Sequence, residues 1–280
     1  MTLTVLALVL LGAALHAAWN ALVRSSASRV FDAVAVAIGA GALALPWLAA
    51  LPAPARESWP QLAASVALHA LYFTLVGLAY RGGALGVAYP IMRGSPPLVT
   101  AAGAVLLFGE PLSLAGWAAV AGIAAGVLLL GTHGVRGKAI TPGAAAFAAA
   151  NVVVIVSYTL VDASGVRASG SAAAYTGWMF FLTGAALAAI VAGVPALRRS
   201  VPARPAWGRL IVGAACTLLS YGIALWAMTR APVALVAALR ETSILFAAAL
   251  AALLLKERFT AWQSAGVALI LGGVVAMRLA

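Results

Sequence analysis

The stretch RGSPPLVTAAGAVLLFGEPLSLAGW, residues 93–117, has a counterpart in RETSILFAAALAALLLKERFTAWQS, residues 240–264. An offset of 147 superposes Arg93 on Arg240, Ser95 on Thr242 and Glu110 on Glu257. Apolar helices rich in Ala and Leu all look alike, but an Arg and a Glu 17 residues apart in both copies set this match apart. Upstream, RGGALGVA and TRAPVALVA correspond with a slip of a residue or two, and ALVRSS (21–26) matches TLVDAS (159–164) more weakly. The chain reads as one unit written twice, 1–139 and then 140–280.

Composition says where such a unit lives. The chain is 65% hydrophobic and 8% charged, against roughly 25% charged residues in a soluble domain. A water-exposed globular surface is excluded. Apolar runs reach the ~20 residues that cross a ~30 Å hydrocarbon core, and they predict ten spans: 2–23, 31–51, 62–80, 85–108, 113–131, 142–162, 171–195, 207–227, 233–255 and 260–278. The expected fold class is an all-α membrane protein with five helices per unit. An odd number per unit turns the second upside down relative to the first, and inverted repeats place a transporter's site near the midplane. The first run lacks a basic n-region and continues to Trp19 and Asn20, so it reads as a retained helix, not a signal peptide.

A net charge of +11 would suit nucleic acid, but the positions of the charges argue against it. Eleven Lys and Arg fall in loops after odd-numbered spans, and four (Arg56, Arg167, Arg230 and Arg278) fall on the other side. The positive-inside pattern then puts the odd loops in the cytoplasm and both termini outside. The expected partners are a lipid bilayer and a small-molecule substrate, with no nucleic acid and the chain as a monomer.

The turns Gly109–Glu110 and Lys256–Glu257 each end an apolar helix, and a Gly-rich helix follows each about 20 residues later. With HAAWNALVRSS in the first span, these motifs resemble the ten-helix EamA branch of the drug/metabolite transporter superfamily. The resemblance covers essentially the whole chain. It implies a five-plus-five inverted bundle that moves small metabolites, most often out of the bacterial cytoplasm across the inner membrane. The overall pattern and the aromatic set described below are most similar to amino-acid exporters of the YddG type. Members often carry a proline in the second half matching Pro96, where this chain has Ser243 or Thr242. An asymmetric hinge follows from that departure.

Ionisable groups at membrane depth face a cavity or a partner. Three are expected near mid-span, Arg93, Arg240 and Glu241, with Glu241 the only deep carboxylate. Pro90, Pro96 and Pro97 withhold backbone donors around Arg93, so the fourth span should kink or unwind there, as a hinge. Two readings compete. Arg93 or Arg240 binds a substrate carboxylate while Glu241 meets an ammonium; or the groups are structural, with Arg93 pairing with Glu241 across the pseudo-twofold or each Arg bonding freed backbone carbonyls. Aromatic and polar residues join them at helical spacing: His16, Trp19 and Asn20; His69 and Tyr72; Asn151, Tyr158 and Asp162; Trp178; Tyr221; and Tyr89, one turn before Arg93. For His69, hydrogen-bonded packing stands beside a site role, and interfacial anchoring accounts for tryptophans at span ends. Glu110 and Glu257 read as capping or salt-bridge groups, and the small residues of GAGALAL, AAGIAAGVLLLG and ALILGG read as close packing.

The function these residues imply is export of small metabolites, most directly aromatic or other neutral amino acids, by alternating access through a central cavity. Efflux of cationic drugs or polyamines and translocation of a lipid phosphate are the alternatives. Enzyme chemistry needs clustered groups, and three separated histidines, one cysteine and six scattered acids supply none. No cofactor or metal is expected.

Overall fold

The structure, a computed structural model, describes residues 1–26, 28–82, 92–132, 142–199, 202, 205–255 and 260–278. Among the described residues it is helical, without strands. Tyr89, Pro90, His133, Lys256 and Glu257 lie outside the described residues. The helices are α1 (Leu3–Arg24), α2 (Arg29–Leu43), α3 (Leu45–Ala50), α4 (Trp59–Gly82), α5 (Pro96–Phe108), α6 (Leu114–Thr132) and α7 (Pro142–Ala168). They continue with α8 (Ala172–Gly193), α9 (Pro195–Arg199), α10 (Trp207–Met228), α11 (Val233–Arg240), α12 (Ser243–Leu255) and α13 (Ala261–Ala276). Polar caps mark several starts. Thr2 accepts the Val5 N–H, Ser171 accepts the Ala174 N–H, and Thr260 forms a capping box with Gln263.

Seven of the described helical segments are long and apolar enough to cross a membrane. Three further expected spans fall on α4, α5 and α13, of which α5 has 13 residues and α13 has 16. Leu106, Leu107 and Leu114 are 82%, 68% and 87% exposed, which only a lipid surface makes favourable. Two expected boundaries move. The second span breaks at Ala44, because Pro46 opens α3. The sixth runs on to Ala168 and so carries Asp162 well inside the helix.

Both spans are interrupted, although only the fourth carries prolines there. In the fourth span, residues 92–94 are helical, Ser95 bends, and α5 begins at Pro96, since Pro96 and Pro97 cannot donate to the preceding turn. The ninth span has no proline, yet it is interrupted at the aligned place, between α11 and α12. The break is made by tightening. Glu241 and Thr242 donate N–H to Ala238 and Leu239, and Ile244 and Leu245 donate to Glu241 and Thr242, three residues back instead of four. The Thr242 hydroxyl adds a 2.6 Å bond to the same Leu239 carbonyl, which thus accepts twice at the break.

Helix pairings come in reciprocal sets. α1 packs on α10 and α12, as α7 packs on α4 and α5; α2 packs on α10, as α8 packs on α4. α2 meets α8, and α6 meets α13. The last two crossings depend on missing side chains. A Cβ on Gly41 would stand 2.7 Å from the Phe180 carbonyl oxygen, and one on Gly126 would stand 2.6 Å from that of Gly266. The small-residue stretches therefore do pack closely. Gly126→Val is expected to cost about 1–3 kcal/mol by overpacking, seen as a lower unfolding midpoint in detergent; an unchanged midpoint would mean that α6 and α13 are free to separate.

Candidate functional site

The two interrupted spans bring the intramembrane charges together. Arg93 Nη2 lies 3.0 Å from Glu241 Oε2 and donates to Ser243 Oγ at 3.1 Å. The approach to Oε2 is too oblique for a directional hydrogen bond, so Coulomb attraction holds the pair. Their side chains are 16% and 10% exposed. Arg240 closes the last turn of α11, where the helix dipole favours a cation. Its guanidinium lies over the Tyr221 ring, 4.7 Å from the centroid. Among the described residues no carboxylate comes within salt-bridge distance of Arg240, while Glu241 remains in Coulombic reach.

An aromatic wall surrounds these charges. His69 stacks on Tyr158 at 4.5 Å and meets Tyr221 edge-on at 5.6 Å. Tyr72 packs on Tyr158 at 5.9 Å, and Tyr158 on Tyr221 at 6.2 Å. These separations suit edge-to-face and offset ring contacts. The His69 Nδ1 hydrogen points to the Ser65 carbonyl at 2.9 Å, a tautomer assigned from its acceptor. Tyr158 is within Coulombic reach of Arg240, Arg93, Glu241 and Asp162, which makes it the hub of the set.

Asp162 is fully buried and accepts two phenol hydroxyls, Tyr175 at 3.0 Å and Tyr221 at 2.6 Å. Glu241 is therefore not the only deep carboxylate. The expectation failed because the sixth span was ended at Asp162 when the helix continues for six residues beyond it. Asp162 fixes the ring on which Arg240 rests.

Residues 143–279 match the EamA-like transporter family. The second half of the chain is thus similar to a family of transporters. With the apolar helices this match makes the chain a multi-pass membrane protein. A solved crystal structure, described only as that of a protein, aligns with 99% of this chain and 96% of its own at a TM-score of 0.74 and 18% identity. That likeness shows the fold alone. No curated protein matches the chain.

The EamA-matching half supplies Tyr158, Tyr221, Arg240 and Glu241, and the preceding half supplies His69, Tyr72 and Arg93; these seven expected site residues converge. His16 stands within Coulombic reach of Arg93 and Arg240. Trp19 donates to His16 Nδ1 at 3.3 Å and packs with Val23, Val36 and Leu210, while the Asn20 amide is spent on the His16 carbonyl at 2.9 Å. Trp178 packs on the same core, with its ring neighbours Trp59 at 6.1 Å and Phe181 at 6.3 Å. Ser243, noted in the sequence for lacking proline, proves to be a ligand of Arg93.

Two substitutions test this network by thermal or denaturant unfolding. Asp162→Ala strands two buried hydroxyls, at about 1–3 kcal/mol for each unsatisfied group; Asp162→Asn, which keeps one acceptor, should cost less. Arg93→Met should lose about 3–5 kcal/mol by leaving Glu241 unpaired, and adding Glu241→Leu should recover most of it. A double variant no more stable than the single would show that the two groups do not depend on each other.

Proposed function

We propose that this chain is an exporter of small zwitterionic metabolites, foremost aromatic or other neutral amino acids, working by alternating access in a bacterial inner membrane. One observation carries the reading. Arg240 lies on an aromatic wall with no bonded carboxylate among the described residues, while Arg93 is already held by Glu241 and Ser243. A substrate carboxylate would complete Arg240, and the rings of His69, Tyr72, Tyr158 and Tyr221 would receive an apolar or aromatic side chain. Two arginines and two carboxylates, Glu241 and Asp162, sum to no net charge. A zwitterion suits that balance. A polyamine would have to take Glu241 from Arg93, or Asp162 from its two tyrosines.

Alternating access needs two ways of opening. The reciprocal helix pairings, and helix bounds displaced by the 147-residue offset (α5 against α12 at both ends, α6 against α13 at the start), support two inverted five-helix repeats, 1–139 and 140–280. The breaks beside Arg93 and Arg240 lie where discontinuous helices of such transporters hold their substrate.

The test is counterflow of labelled neutral amino acids in proteoliposomes. Saturable exchange is expected, and Arg240→Gln should raise the half-saturating concentration roughly 10- to 100-fold, the worth of one charge-assisted hydrogen bond. No saturable exchange of any neutral amino acid would remove the substrate assignment.

A further inference from the structure

At one end of the bundle Glu110, just past α5, reaches both α7 and the start of α11. Gly109 (φ 61) ends α5 in the left-handed region and turns Glu110 inward. One carboxylate oxygen pairs with Arg167 near the end of α7; the other accepts the Val233 N–H, first residue of α11, at 2.9 Å. Arg167 in turn donates Nε–H to the Met228 carbonyl, last residue of α10, at 2.8 Å, and its guanidinium lies 5.2 Å over the Phe108 ring. α5 and α7 pack on each other and α10 and α11 on α1, while α11 also packs on α5 and α10 on α7. The ion pair, carried by the end of α5 and by α7, presents one acceptor and one donor to the turn that joins α10 to α11 across that contact.

We propose that the Glu110–Arg167 pair is a latch, whose two hydrogen bonds to the α10–α11 turn hold this end shut and part when it opens. The inference rests on the alternating-access reading and adds the element that sets which end is closed. The surroundings suit a bond that must break and re-form. Glu110 and Arg167 are 20% and 30% exposed and line an open recess of about 670 Å³ together with Trp226, Arg230 and Pro232. Water in that recess can take over the Val233 donor and the Met228 acceptor as the turn moves away. On the charge-bias orientation this is the outer end.

A static cap would change stability alone; a latch changes access. The experiment uses the full-length chain in proteoliposomes, with Cys216→Ala to remove its one thiol and Ser65→Cys as reporter. Ser65 is fully buried beside His69 on α4, and the segment leading into α4 bonds Ser169 through the Ala55 N–H, which places its start at the latch end. The rate of reaction with a membrane-impermeant maleimide is measured from each face. Glu110→Gln keeps an acceptor for Val233 but loses the ion pair. Arg167→Lys keeps the charge but loses the Nε donor. Glu110→Ala loses everything. Labelling from one face should rise several-fold in the first two and further in the third, with faster hydrogen exchange at Val233–Val236. Parental rates from both faces in Glu110→Gln and Arg167→Lys, with the reporter fully reactive in denaturant, would overturn the latch, as would lowered thermal stability without a change in labelling. No substrate enters this measurement, so absent counterflow with responsive labelling would count against the transport assignment and leave the latch standing.

Discussion

An arginine inside a bilayer needs an anionic or strongly polar partner, and Arg93 finds its partners on the other half of the chain. Glu241 and Ser243 lie on either side of the break in the ninth span, so the pairing both requires that break and helps to hold it. Most of the site follows from this constraint. Unwinding at 241–242 ends α11 at Arg240, and the end of α11 sets the guanidinium on Tyr221. Tyr221 is fixed from behind by Asp162, which also holds Tyr175. A chain of contacts therefore runs from the first half, through the broken helix, into the buried carboxylate of the second.

Much of this was legible in the sequence because membrane burial makes polar residues conspicuous. Arg93, Arg240 and Glu241 stand out against apolar surroundings, and the pairing of Arg93 with Glu241 was one of the readings open from the residues alone. The packing glycines were legible for a related reason. In lipid, close backbone approach is a main source of helix association, so runs of small residues report crossings such as Gly41 with Gly184 and Gly126 with Gly266.

What escaped the sequence was set by partners far along the chain. Proline was the only marker of a break, so the proline-free ninth span read as a continuous helix. Its interruption arises because Glu241, Thr242 and Ser243 bond to groups that the sequence does not place beside them, or to their own backbone. Asp162 was seen on one face with Tyr158, but a hydropathy boundary ended the span there, since hydropathy averages cannot tell a helix end from a buried acid held by two phenols. Trp178 had the spacing of a wall residue, yet its ring neighbours are Trp59 and Phe181. Helical phase alone does not fix which neighbour a face meets.

Differences in burial among the ion pairs arrange them in order of permanence. Arg93–Glu241 is the more enclosed, and removing one partner from such a pair exposes a charge to a medium that cannot solvate it. Glu110–Arg167 faces an open recess, where the same separation costs little because water can replace the lost bonds. A protein that opens its ends in turn has reason to put its persistent pair at the centre and its exchangeable one at the rim. On the proposed transport cycle, the central pair would keep the two halves in register while the rim gives way, and Arg240, bonded to neither, would be left for the substrate.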